Sequence, residues 1–168
     1  MGKEIERKFL VCGDDYRTAG SEPLRQGYLN LEKQRTVRVR TAGEQGFLTI
    51  KGISHGASRD EFEYPIPLAD ANQMLDSMCE RPLIEKRRYV FNYQGKSWEI
   101  DEFAGENIGL VIAEVELNDE REAFEKPPWV GAEVTHDTRY LNANLVKHPY
   151  RDWKDRVEIN TAESSESV

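Results

Sequence analysis

The chain has 168 residues, of which 38% are hydrophobic and 32% charged, and its formal net charge is −8. This length fits one ordinary domain, predicted at residues 1–160, and the acidic charge argues against a protein that coats nucleic acid or an anionic membrane surface. Its two cysteines, Cys12 and Cys79, form no metal-binding pattern, and there is neither a signal-peptide pattern nor an apolar run near the ~20 residues of a membrane span, so we expect a cytoplasmic protein.

The first predicted strand alternates between charged and apolar side chains. Successive side chains point to opposite faces of a strand, so Glu4, Glu6 and Lys8 share one face, and Ile5 and Phe9 share the other. In an isolated amphipathic strand the charged face would lie in water. Because the pattern recurs along the chain, the charged faces of several strands can also be interpreted as facing one another.

Eight segments are predicted to be strands, because each alternates in this way or is bounded by turn residues: 1–11, 24–31, 36–41, 47–51, 59–64, 83–93, 96–103 and 110–117. Residues 68–79 have helical spacing of apolar side chains and are predicted to form a helix. A short acidic helix is predicted at residues 119–124 and a last helical stretch at 137–146. The tail 161–168 has almost nothing to bury and is expected to be disordered.

Most of these strands carry charges on one face, and the signs are segregated by strand. The bases are Lys8, Arg38, Arg40, Lys51, Lys86 and Arg88, and the acids are Glu4, Glu6, Glu61, Glu63, Glu99, Asp101, Glu114 and Glu116. Solvated outer faces would be expected to mix both signs along each strand. We therefore predict a closed eight-stranded barrel whose charged faces line a wet interior, with the apolar faces packed outward against a few helices. Such an interior would hold a polyanion together with divalent cations.

The charged doublets resemble the signature of a known family. The start Glu4-Ile5-Glu6-Arg7-Lys8 is similar to the ExExK motif of the CYTH superfamily, the triphosphate tunnel metalloenzymes, and most resembles its small bacterial inorganic triphosphatases. The likeness spans roughly residues 2–148 and continues through Arg38-x-Arg40, Lys51, Glu61-x-Glu63, Lys86-x-Arg88, Glu99-Ile100-Asp101, Glu114-Val115-Glu116 and the segment 128–135.

This resemblance implies an antiparallel eight-stranded tunnel, a mainly β fold of the α+β class, that binds Mg²⁺ or Mn²⁺ and acts on a triphosphate. It assigns the metal to Glu4, Glu6, Glu114 and Glu116, and the phosphates to the six bases. Glu61, Glu63, Glu99 and Asp101 are left with three open roles: a second metal, positioning of water, or pairing with the bases. Candidate catalytic residues are Glu4, Glu6, Lys8, Glu63 and Asp101. Arg139 either reaches over a tunnel mouth toward phosphate or forms a surface salt bridge.

The function predicted from these residues is metal-dependent hydrolysis of the terminal phosphate of inorganic triphosphate or of nucleoside triphosphates. A charged inventory without a covalent nucleophile suits phosphoryl transfer, which needs positioning and charge neutralisation. Two alternatives stay open: a class IV adenylate cyclase, and a non-catalytic module that binds polyphosphate or nucleotide. We expect a small-molecule substrate, no nucleic-acid or membrane partner, and a monomer or homodimer.

Overall fold

The computed structural model describes residues 2–155, and the predicted tail at 161–168 lies outside this part. Two α-helices and nine strands make up its regular structure apart from short 3-10 turns. The strands are β1 (Gly2–Val11), β2 (Ser21–Asn30), β3 (Arg35–Ala42), β4 (Gln45–Gly52), β5 (Ser58–Ile66), β6 (Ile84–Tyr93), β7 (Lys96–Phe103), β8 (Val111–Glu116) and β9 (Val130–Glu133), and the helices are α1 (Leu68–Ser77) and α2 (Asn142–Lys147). No helix within residues 2–155 combines the length and the apolar character needed to cross a membrane.

The predicted closed antiparallel barrel is confirmed. The strands follow the order β5-β4-β3-β2-β6-β7-β8-β1, and β1 closes the ring by pairing with β5. The closing register is short, running from Gly2 opposite Glu61 to Ile5 opposite Ser58. On its other edge β1 pairs with β8, which places Glu6 opposite Glu116 and therefore on the same face of the sheet.

A ninth strand, which the sequence analysis missed, extends this ring. β9 pairs with the C-terminal part of β1, where Phe9 lies opposite Glu133 and Val11 opposite Val130. The first and last parts of β1 thus use the same edge for two different partners. With only four residues, β9 is too short for its alternation to be read from sequence.

The outward apolar faces of the barrel are covered as predicted over much of its surface. Phe9, Trp98 and Trp129 belong to one buried cluster, and Val39 packs with Ala71 and Leu75 of α1 in another. Burial of these faces leaves the opposite, charged faces of the same strands turned toward the barrel interior.

One end of the interior is apolar, which differs from a lumen that is charged throughout. Ile84 lies two residues before Lys86, and Phe103 lies opposite Lys86, so both side chains share the inward face. They form a buried cluster with Leu145 of α2. The helical C-terminal segment therefore packs over this end of the barrel, and the charged space lies beyond it.

Two helix predictions need correction. Residues 119–121 form a bend and a turn, and residues 122–124 have no regular structure; the Asp119 and Glu122 carboxylates accept hydrogen bonds from the backbone N–H groups of Arg121 and Asn118, respectively. The predicted helix at 137–146 divides into a 3-10 turn, Thr138–Tyr140, followed by α2. Asp137 caps the 3-10 turn by accepting a hydrogen bond from the backbone N–H of Arg139.

Candidate functional site

A cavity of about 580 Å³ occupies the charged part of the barrel. Its volume falls within the ~300–1,000 Å³ that is usual for small-molecule sites. Nine bases and seven acids line it: Lys3, Lys8, Lys33, Arg38, Arg40, Lys51, Arg59, Lys86 and Arg88, with Glu4, Glu6, Glu61, Glu63, Glu99, Glu114 and Glu116. Thirteen of the fifteen candidate residues from the sequence thus meet in one space.

The other two candidates, Asp101 and Arg139, do not line the cavity. Asp101 is buried on the inward face of β7, where it contacts two of the bases. The guanidinium of Arg139 binds the carboxylate of Asp137 at 2.6 Å and lies 5.0 Å from the centre of the Trp153 ring. Arg139 therefore forms the salt bridge that was one of its two predicted alternatives.

Asp101 holds Lys86 and Arg88 together. Its Oδ2 lies 2.7 Å from Lys86 Nζ, and the Arg88 guanidinium donates Nε–H and Nη2–H to the two carboxylate oxygens at 2.8 and 2.9 Å. Burial alone would raise the pKa of Asp101, but the two cations hold it well below its usual range. Burial lowers the pKa of Lys86 to about 8, although Asp101 acts in the opposite direction.

A second network joins β3, β4 and β5. Glu63 Oε1 accepts a hydrogen bond from Arg40 Nη2 at 3.0 Å and another from Thr49 Oγ1 at 3.0 Å. Arg38 Nη2 donates to the same Thr49 hydroxyl at 3.2 Å. Burial, followed by the neighbouring charge of Arg38, lowers the pKa of Arg40. The wall therefore holds two like charges close together by means of one carboxylate.

Lys51 and Glu4 form a third contact, at the seam where β1 meets β5. Lys51 Nζ donates to both carboxylate oxygens of Glu4 at 3.0 and 3.1 Å, and Glu61 lies 4.0 Å away. Burial and the charge of Arg38 lower the pKa of Lys51, and Glu4 offsets part of this effect. Glu61, Glu63, Glu99 and Asp101 all pair with bases, which was one of their three predicted roles.

Excess negative charge collects where β1 meets β8. Glu114 lies 3.7 Å from Lys8, and both burial and the nearby Glu6 raise the pKa of its carboxyl group. Burial opposes protonation of Lys8, but Glu114, Glu6 and Glu4 outweigh it and raise the pKa of Lys8. Within residues 2–155, the Glu6 and Glu116 carboxylates make no hydrogen bond or ion pair. Neither carboxylate is therefore neutralised by a direct ion pair with a described residue, which leaves both available as cation ligands.

The donor set suits a hard divalent cation. Carboxylate oxygens are the ligands that Mg²⁺ and Mn²⁺ prefer, and Mg²⁺ commonly uses one or two carboxylates together with water and substrate phosphate oxygens. In the described part of the chain, no three acidic, histidine or cysteine side chains converge as a ready-made metal cluster. A metal ion bound by Glu6 and Glu116, with a phosphate as a further ligand, fits the two carboxylates without ion pairs and the lack of a third protein ligand.

Several polar groups in the barrel wall have no hydrogen-bond partner among the described residues. Arg38 Nε, Arg40 Nε and both side-chain amide atoms of Gln26 are buried without a hydrogen bond to any described residue. Gln26 is paired with Arg40 across β2 and β3, so these groups share the inward face. Buried donors without acceptors are costly, and an anionic ligand would supply acceptors to the arginines.

Some residues at the cavity were missed by sequence reasoning. Arg59 lies on β5 in phase with Glu61 and Glu63, so the alternation could have identified it. Lys33 lies between β2 and β3, where no periodic pattern indicates which way a side chain points. Thr49 does not line the cavity but holds Arg38 and Glu63 of its wall; it is in phase with Lys51 on β4 and was passed over because it carries no charge.

Comparisons with known proteins agree with this geometry. Residues 2–150 match the model of the CYTH domain family. An inorganic triphosphatase of Acetivibrio thermocellus is 56% identical over 92% of this chain and 100% of its own length, and one of Nitrosomonas europaea is 40% identical over 85% and 96%, respectively. A crystal structure of an inorganic triphosphatase superposes with a TM-score of 0.63 at 36% identity, covering 84% of this chain and 96% of that one.

Proposed function

Because this chain belongs to the CYTH domain family, we propose that it is a metal-dependent triphosphatase that hydrolyses the terminal phosphate of inorganic triphosphate. The observation that carries this proposal is the convergence of six bases from four strands on one cavity that also holds two acids, Glu6 and Glu116, without an ion pair to a described residue. A compact, highly charged anion would bind the basic side chains, and a divalent cation that accompanies it would bind the acidic ones.

The phosphates would be gripped by Lys8, Arg38, Arg40, Lys51, Lys86 and Arg88. Arginine is suited to bidentate contacts with phosphate, and the Nε–H groups of Arg38 and Arg40 make no hydrogen bond with a described residue. Arg139 is left out of this grip because Asp137 already engages its guanidinium.

We propose Mg²⁺ or Mn²⁺ as the metal, held by Glu6 and Glu116 with Glu4 and Glu114 beside them. Such an ion neutralises phosphate charge and lowers the pKa of a bound water. The chain's own contribution is to fix the phosphate oxygens from several sides and to neutralise the charge that develops on them. Asp101 and Glu63 keep Lys86, Arg88 and Arg40 in place for this task.

A substrate panel tests the function directly. With Mg²⁺ or Mn²⁺ present, tripolyphosphate should be cleaved with higher kcat/KM than ATP, because the lysine and arginine side chains recognise phosphates. ATP and GTP should differ little, because no described feature selects a purine ring. Release of phosphate, pyrophosphate and cyclic AMP would be measured for each. Formation of cyclic AMP from ATP would establish that the protein is an adenylate cyclase. Tight binding of these compounds without turnover would establish that it is a non-catalytic binding module.

The pH profile tests the role of Lys86. Its pKa of about 8 means that the free protein loses this positive charge as the pH rises above that value, so kcat/KM for tripolyphosphate should fall on the alkaline side. Lys86→Arg should move this fall to higher pH because arginine stays protonated. Ionisation of the substrate would give the same alkaline limb in both proteins, and an unshifted limb would therefore contradict the assignment.

The cellular setting belongs to the same proposal. We propose a cytoplasmic enzyme, monomeric or homodimeric, that acts without nucleic-acid or membrane partners. The net charge of −8 supports this view because it disfavours adsorption to polyanions, whereas the local excess of bases in the cavity still attracts a small anion.

A further inference from the structure

Thr49 is an uncharged residue at the centre of a charged wall. Its side chain is completely buried on β4, with its hydroxyl between Arg38 and Glu63. Cross-strand pairing places Arg38 on one side of it and Glu63 on the other. The hydroxyl therefore joins three adjacent strands at the level of the proposed phosphate grip.

The chemistry of its neighbours determines the direction of both hydrogen bonds. A guanidinium can only donate and an ionised carboxylate can only accept, so Thr49 accepts from Arg38 Nη2 and donates its single proton to Glu63 Oε1. Glu63 Oε1 also accepts from Arg40 Nη2. One hydroxyl thus links the two arginines through the carboxylate, and its capacity to donate is fully used.

The two arginines of this network repel each other, and Thr49 contacts one of them. Arg38 Nη2 lies 3.8 Å from Glu63, which is beyond hydrogen-bond distance, so its short polar contact in this network is the Thr49 hydroxyl. Arg38 also lowers the pKa of Arg40 by repulsion. The Thr49 hydroxyl fixes one nitrogen of Arg38, and the Glu63 carboxylate, which accepts from Thr49 and Arg40, supplies the negative charge that offsets the repulsion.

We propose that Thr49 is a positioning residue, whose hydroxyl aligns Arg38 and Glu63 so that the Arg38 and Arg40 guanidinium groups are set for a phosphate before substrate arrives. This inference rests on the proposed function. Thr49 does not need to touch the substrate. Preorganised donors act without reorganisation during the reaction, so loss of alignment should affect turnover more than overall stability.

The test compares Thr49→Val, which keeps the shape and removes the hydroxyl, with Thr49→Ser, which keeps the hydroxyl. Thr49→Val should lower kcat/KM for tripolyphosphate by about 10- to 100-fold, since hydrogen bonds to charged groups are involved, and Thr49→Ser should recover most of it. Thr41→Val is the matched control, because Thr41 is buried on the outer face of β3 and its hydroxyl makes no hydrogen bond with another described residue.

A double-mutant cycle separates positioning from packing. If Thr49 acts through Glu63, then Thr49→Val should cost little once Glu63→Gln is present, whereas a packing defect would add its full cost in both backgrounds. Wild-type kinetics in Thr49→Val, or equal losses in Thr49→Val, Thr49→Ser and Thr41→Val, would overturn the inference. Failure of the wild-type protein to bind or cleave tripolyphosphate would instead overturn the proposed function.

Discussion

Glu6→Gln is expected to lower turnover of tripolyphosphate at least about 100-fold without weakening the fold. Loss of a residue that merely supports a metal ligand typically costs about 10–100-fold, and loss of a ligand itself should cost at least as much. Glu6 has no hydrogen bond or ion pair with another residue in 2–155, and it faces Glu116 across β1 and β8. Removing its charge relieves repulsion, so the melting temperature without metal should stay unchanged or rise.

Initial rates across a Mg²⁺ titration, together with thermal melts, would measure both effects. Glu85→Gln serves as the control, because Glu85 is exposed on the outward face of β6 and should alter neither quantity. A Glu6→Gln protein with the wild-type rate at limiting Mg²⁺ would remove Glu6 from the metal site. A protein that is both inactive and much less stable would indicate a structural role.

The inward-facing residues could be predicted because period-two alternation is a local property. Once Lys86 and Arg88 are assigned to one face, Ile84 and Val90 must share it, whatever the rest of the chain does. The closure of the barrel was predictable for a related reason, since charges segregated by strand can balance only when distant strands face one another. Glu6 meets Glu116 across 110 positions of sequence.

What could not be predicted depends on contacts between elements rather than within them. The alternation places Asp101 on the inward face. It does not predict that Asp101 contacts Lys86 and Arg88, because that contact depends on the register between β6 and β7. Arg139 was assigned two possible roles because the sequence does not show which carboxylate its guanidinium meets, and the structure places that of Asp137 beside it. The apolar end of the cavity required knowledge of how α2 packs, which no local pattern contains.

Asp101→Asn is expected to destabilise the fold by roughly 3–5 kcal/mol, the usual cost of removing one partner from a buried ion pair. The change keeps the shape of the side chain and leaves Lys86, which has 1% of its side chain exposed, without its carboxylate. Chemical denaturation would measure the loss. Because the pKa of Asp101 is depressed in the folded state, its contribution is present at neutral pH and declines as the pH falls below about 4, so the gap to wild type should narrow in acid.

Glu99→Gln provides the matched comparison, because Glu99 also pairs with Arg88, at 2.9 Å, but has 45% of its side chain exposed. An exposed pair contributes about 0–1 kcal/mol, so this variant should remain close to wild type. Tripolyphosphate should restore more stability to Asp101→Asn than to Glu99→Gln, since the phosphate would replace the missing negative charge beside Lys86 and Arg88. If the two variants unfold alike with and without the anion, Asp101 does not stabilise these cations and its assignment as their support is wrong.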